Sequence, residues 1–124
     1  MKNLILEETK YTPAINLDVN GTISLVGKSY PENTFEFYAP MIKWVEDYFK
    51  KSPAAITTVN MEIIYFNSSS SKLFFDFFDL LEEHSANNSI AINWIHDEEN
   101  ETAQEAGEDF IEDFESLEIK LVIK

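Results

Sequence analysis

Ala55-Ile56-Thr57-Thr58-Val59-Asn60-Met61-Glu62-Ile63-Ile64-Tyr65-Phe66 runs straight into Asn67-Ser68-Ser69-Ser70-Ser71. The first part is rich in β-branched and apolar residues and predicts one long central strand. The serine run ends it. Lys72–His84 then reads as a helix. Lys72, Asp76, Asp79 and Glu83 form its polar stripe at helical spacing, and Leu73, Phe74, Phe75, Phe77, Phe78, Leu80 and Leu81 fill the rest. A buried strand that passes through a polar turn into an amphipathic helix is half of a βαβ unit, and this decides the fold class.

Downstream, Ala86-Asn87-Asn88-Ser89 reads as a turn and Ile90–Ile95 as a strand. Glu98–Phe114 is an acidic helix with Ala103, Ala106, Phe110 and Phe114 as a narrow apolar stripe, and Leu117–Ile123 is a last strand. Upstream, a helix is entered near Ala39-Pro40, because Pro is tolerated at the first helical position. Met41, Ile42, Val45, Tyr48 and Phe49 form its apolar face, with Trp44 towards the edge. Lys50-Lys51 suit its C-terminal dipole, and Ser52-Pro53 stop it. Gly27 to Asn33 is a connector holding Tyr30-Pro31-Glu32-Asn33. Before it, Ile15–Val19 and Thr22–Val26 alternate around Asn20-Gly21, a strong hairpin signal, and Leu4–Thr9 is a short first strand. The order βββαβαβαβ predicts an α/β fold with a mixed, mostly parallel sheet, an N-terminal β-hairpin and three helices on right-handed crossovers. At 124 residues, the chain reads as one domain spanning 1–124.

Composition narrows the function. Nine Lys and no Arg stand against 23 Asp+Glu, a formal net charge of −14. Such a chain is repelled by phosphate backbones and anionic lipid, so neither nucleic acid nor a membrane is an expected partner. No apolar run reaches membrane-spanning length, and the N-terminus meets acids at Glu7-Glu8, too early for a signal peptide, so a cytoplasmic protein is expected. With no Cys, disulfides, thiol catalysis and Cys-bound metals are excluded. Residues 97–118 hold eleven acids and no Lys. That segment is either an acidic docking face for a basic partner or a solvated face that confers solubility. Asp97-Glu98-Glu99-Asn100-Glu101 lacks the glycine and the terminal Glu of a calcium loop.

The serine run sits where open α/β sheets collect ligands, between a strand's C-terminal end and a helix N-terminus. One of Ser69–Ser71 can cap the helix. A phosphate there would gain from orphan backbone N–H groups and the helix dipole. A serine nucleophile would need a base, and the only histidines, His84 and His96, stand in no hydrolase motif. No metal spacing is present, and three glycines allow no phosphate-cradling loop, so no metal or cofactor is expected. Among the many aromatics, Phe75 and Trp44 border polar positions and are candidates for an exposed protein-binding face.

Thr12-Pro13, Ser29-Tyr30-Pro31-Glu32-Asn33-Thr34, Trp44, and Tyr65-Phe66-Asn67-Ser68-Ser69-Ser70-Ser71-Lys72 followed by Asp76-Phe77-Phe78-Asp79-Leu80-Leu81-Glu82-Glu83 resemble the SiaC family of bacterial regulatory phosphoproteins. The strand-Asn-hydroxyl-helix element is also similar to the phosphorylation loop of STAS-type anti-sigma-factor antagonists, a fold-level analogy that makes the domain STAS-like. The resemblance implies a switch and not an enzyme. In the family it resembles, a dedicated kinase phosphorylates one hydroxyl and a PPM-type phosphatase removes the phosphate, and in the best-known member the unmodified form activates a diguanylate cyclase in cyclic di-GMP signalling; the same is expected of this chain. By motif position the acceptor is Ser68, where the family example has Thr; Ser69 and Ser70 are the neighbouring alternatives. The partner face expected around it takes in Asn67, Ser69, Lys72, Phe75, Asp76 and Asp79, with Tyr30, Glu32, Asn33 and Trp44 beside them. A Pro-containing connector such as Pro31-Glu32-Asn33 also reads as a structural turn. Phosphate on that face would cost binding through repulsion and desolvation. Two other readings stay open: an antagonist in a stress-sigma cascade, and a small hydrolase pairing a serine of the run with His96.

Overall fold

The computed structural model describes residues 1–51 and 53–124. Its elements are β1 (Leu4–Leu6), β2 (Ala14–Asp18), β3 (Thr22–Ser29), α1 (Thr34–Lys51), β4 (Ile56–Phe66), α2 (Ser68–Ser85), β5 (Ser89–His96), α3 (Glu101–Asp113) and β6 (Glu118–Ile123). They follow the order expected from the sequence. The six strands lie side by side in chain order. β1, β2 and β3 pair antiparallel; β3, β4, β5 and β6 pair parallel.

Right-handed crossovers between strands that advance one way across a sheet put every helix on the same face. The burial pattern matches. On β4, Val59, Met61 and Ile63 are fully buried, whereas the alternate Thr58, Asn60 and Glu62 are only half-buried. The core lies between the helices and the covered face, with Ile15, Leu25, Tyr38, Val45, Phe74, Phe77, Phe78 and Trp94 at its centre. The other face is polar: Asn93 donates to Asn60 across β5 and β4 at 2.8 Å, and Lys124 pairs with Glu62 at 2.7 Å. α3 is drawn tight to the sheet through Gly107, where a Cβ would come within 2.5 Å of Trp94 and Leu121.

Several expected boundaries move. The hairpin loop has three residues, Val19-Asn20-Gly21, closed by Gly21 N–H to the Asp18 carbonyl at 3.0 Å. Only Gly21 takes positive φ (105°), so Val19 leaves the strand and is exposed. β1 stops at Leu6 because Thr9 turns back onto Thr12, hydroxyl to hydroxyl, at 2.6 Å. β3 continues to Ser29, across a bulge after Gly27, into what reads as connector.

α1 begins at Thr34, and Pro40 lies inside it. The reason is a reciprocal cap: Asn33 Oδ1 accepts from Glu36 N–H at 3.1 Å, and Asn33 Nδ2 donates to the Glu36 carboxylate at 3.0 Å. Burial of Tyr38 adds to this, and together they outweigh the proline. Trp44 is not a surface residue. It is 8% exposed, stacks on Tyr48, and its indole N–H donates to the Lys2 carbonyl at 2.8 Å. Ser52, expected to help stop α1, lies outside the described residues. α2 starts four residues before Lys72, so the serine run is its first turn. α3 runs from Glu101, three residues later than Glu98, because Asn100 caps it; Phe114 closes its C-terminal end.

Candidate functional site

β4 delivers the chain to Asn67, which leaves the strand in an extended conformation (φ −86°, ψ 177°) and caps α2. Its side-chain oxygen accepts from Ser70 N–H at 2.9 Å, and its carbonyl accepts from Ser71 N–H at 2.9 Å. The cap is therefore Asn67 and not one of Ser69–Ser71. Asn67 N–H donates to the Ser29 carbonyl at 3.1 Å, which ties the junction to the end of β3.

The four serines divide sharply. Ser68 and Ser69 are exposed and Ser71 is half-buried. Ser70 is fully buried, its hydroxyl 2.7 Å from Ser29 Oγ and donating to the Ser29 carbonyl at 3.0 Å. Ser29 Oγ continues to the Tyr38 hydroxyl at 2.6 Å. Burial pushes the Tyr38 phenol up to about 12, partly opposed by the Ser29 hydrogen bond. Ser70, an expected alternative acceptor, is thus held inside a chain of three buried hydroxyls, with its own hydroxyl engaged by Ser29.

Ser68 opens the helix with free space around it. The first turn of α2 carries no acid, in a chain with 23 of them. No side-chain charge offsets the helix dipole at this end, and a dianion placed on Ser68 would interact favourably with it. From Ser68, an exposed stripe runs along α2 through Lys72, Phe75, Asp76 and Asp79. Phe75 is 41% exposed and leans on Phe114 at a centroid distance of 4.8 Å. The Lys72 ammonium lies 5.9 Å from the Phe35 ring centroid, and Phe35 is itself exposed.

Beyond the β3 and β4 ends lies a second aromatic group. The Tyr30 ring meets Tyr11 at 5.2 Å and Tyr65 at 5.5 Å, both edge to face, and Tyr11 and Tyr65 are about half exposed. Glu32 is exposed beside it. Of the expected partner residues, Asn67, Ser69, Lys72, Phe75, Asp76 and Asp79 thus share the α2 side, and Tyr30 and Glu32 adjoin it. Asn33 is occupied in capping α1, and Trp44 is withdrawn into the core.

The hydrolase geometry is not assembled. His96 is buried, and its ring Nδ1 lies 2.9 Å from the Asp97 carbonyl; among the described residues no hydrogen bond joins it to a serine hydroxyl. His84 stacks on Phe49 at the far end of α2. Among the described residues no group of three or more His, Asp or Glu could hold a metal ion. No helix there is long and apolar enough to cross a membrane.

Two features escaped the sequence reading. The Asn33–Glu36 cap had a signal, an Asn three residues ahead of a Glu. The Tyr38–Ser29–Ser70 chain had none, because Ser29 and Ser70 stand 41 positions apart.

The family model for the SiaC family regulatory phosphoprotein matches residues 6–124. An uncharacterised protein of Pseudomonas aeruginosa (strain UCBPP-PA14) is 36% identical over 115 residues, covering 91% of this chain and 90% of that protein. The crystal structure of apo-SiaC from Pseudomonas aeruginosa superposes with a TM-score of 0.89 at 33% identity, over 98% of this chain and 99% of that one. The structure of diguanylate cyclase SiaD in complex with its activator SiaC, also from Pseudomonas aeruginosa, matches with a TM-score of 0.89 at 34% identity and the same coverage.

Proposed function

This chain belongs to the SiaC family of regulatory phosphoproteins, and from that premise we propose that it is a non-enzymatic switch whose state is set by phosphate on Ser68. The observation that carries this reading is the division of the serine run. Ser68 is exposed at an acid-free helix N-terminus, while Ser70 anchors the same turn from inside. A kinase transfers a phosphoryl group to the Ser68 hydroxyl and a PPM-type phosphatase hydrolyses it. Its target is a diguanylate cyclase, as for the SiaC that activates SiaD. The protein works in the cytoplasm, where cyclic di-GMP is made.

Unmodified Ser68 lies within the binding face, one turn of α2 before Lys72, whose ammonium lies over Phe35. Phosphate adds about −1.5 to −2 charges and three acceptor oxygens there. Those oxygens must be desolvated under any partner that packs on the turn, and their bulk holds it off. The helix itself is not disrupted, because the dipole favours the added charge. Release of the partner therefore leaves the fold intact.

The experiment compares Ser68→Ala, Ser68→Asp and Ser68-phosphorylated protein as baits, with diguanylate cyclase capture quantified by mass spectrometry. Ser68→Ala captures the cyclase, and the phosphorylated protein loses at least about tenfold of it. Equal capture by all three would end the assignment of Ser68 as the switch.

A further inference from the structure

We propose that the groove between α2 and α3 seats an amphipathic helix of the target protein, with bulky aliphatic residues flanked by Lys or Arg. The inference rests on the reading of α2 as the partner face and specifies the chemistry of what lies on it. The groove has a volume of about 520 Å³ and opens beside Ser71. Phe66, Phe75 and Phe110 give it an aromatic floor, and Asp76, Asp109 and Asp113 give it an acidic rim.

Phe75 is the unusual residue. Phe74, Phe77 and Phe78 on the same helix are fully buried, whereas Phe75 keeps 41% of its surface in water over the groove. The rim is also unusual. Among the described residues none of its three aspartates takes part in an ion pair, and Lys72, the only cation lining the groove, lies against Phe35. Three unpaired carboxylates around an aromatic floor, backed by the other acids of α3, complement a ligand that is apolar in the middle and cationic at its edges. A trough between two helices suits a third helix, which enters it with residues spaced i, i+3, i+4 and i+7. An acidic segment or a nucleic acid would be repelled. A second copy of this chain, with its own net charge of −14, would be repelled as well.

Ser68 and Phe75 are seven residues apart, two turns along one stripe. A phosphate on Ser68 therefore leaves the groove open, and its charge does not repel a basic helix. Its effect on the whole target arises at the serine turn, through bulk and desolvation.

The test uses a fluorescein-labelled 18-residue helical peptide of Leu and Lys, with Leu at i, i+3, i+4 and i+7, titrated with the full chain by anisotropy. Asp109→Asn/Asp113→Asn should weaken binding about tenfold at low ionic strength, with the difference shrinking as salt rises. Phe75→Ser should weaken it about tenfold at all ionic strengths. Glu7→Gln/Glu8→Gln, the same charge change far from the groove, should alter it less than about twofold. Circular dichroism confirms that each variant is folded. If the Asp109/Asp113 and Glu7/Glu8 pairs weaken binding alike, the attraction is to net charge only and the groove assignment is overturned. If Ser68→Asp abolishes binding while the Asp109/Asp113 pair does not, the seat lies on the serine turn and the assignment is again overturned. Loss of the switch itself would show separately, as cyclase capture indifferent to phosphate on Ser68.

Discussion

Two strand-to-helix junctions in this molecule are built to the same plan and filled differently. β4 enters α2 through Asn67, whose side chain accepts from Ser70 N–H; β5 approaches α3 through Asn100, whose side chain accepts from Ala103 N–H at 3.1 Å. After the cap, α3 begins with Glu101, so its first turn already holds a negative charge. α2 begins with Ser68 and holds none. The Asn100 amide also donates to the Ile64 carbonyl at 3.0 Å, which fastens the α3 junction to β4. The α2 junction is fastened from below, through Ser70 and Ser29, and its outer surface is left free. One junction is finished electrostatically; the other is rigid but lacks a charge that a phosphate supplies. On the proposed function, this difference separates a structural helix start from a regulated one.

The comparison breaks first if the internal anchor is not real. Ser70→Val removes a buried hydroxyl from Ser29 Oγ and the Ser29 carbonyl and should cost about 2–3 kcal/mol in urea unfolding. Ser69→Val, exposed in the same turn, should cost less than about 0.5 kcal/mol. Equal costs would mean that the anchor contributes nothing.

The Tyr38 end of the same chain makes a pH prediction. Burial holds the phenol neutral, so its folded pKa, about 12, lies above the unfolded value of 10. The stability it supports is complete below pH 10 and is lost as pH rises through about 12. Tyr38→Phe should remove most of an alkaline decline on the order of 2 kcal/mol. An unchanged alkaline profile in Tyr38→Phe would place the titrating group elsewhere.

Smaller effects sharpen the contrast between the caps. Asn67→Ala should cost about 1 kcal/mol, and Asn100→Ala somewhat more, about 1–2 kcal/mol, because it also loses the Ile64 tie. The smallest effects are the most diagnostic. Ser68→Asp should stabilise the fold by about 0.5 kcal/mol, and Glu101→Gln should destabilise it by a similar amount, both fading in high salt. If Ser68→Asp destabilises the protein, the α2 start does not welcome negative charge.

The β-hairpin, the helical faces of α2 and α3, and the succession of elements along the chain could be read from the sequence, because each rests on local periodicity or turn chemistry. What was misread depends on distant partners. Pro40 suggested a helix start, but the Asn33–Glu36 cap and the burial of Tyr38 carry α1 six residues further back. Trp44 looked peripheral until Lys2, 42 positions away, supplied an acceptor for its indole. Motif position favoured Ser68, but no local periodicity separates it from Ser70; only Ser29, on a neighbouring strand, turns one into an anchor and leaves the other outside. Phe75, at the border of its polar stripe, was legible as exposed for the converse reason, since helical spacing alone decides its direction.

The most direct test of the switch is peptide mass spectrometry of the protein from its native cells, across several growth states and with and without phosphatase treatment. The account predicts a phosphatase-sensitive phosphate on the Asn67–Lys72 peptide in at least one state, with fragment ions placing it on Ser68 and never on Ser70. A peptide unmodified in every state, or one carrying its phosphate on Ser70, would contradict it.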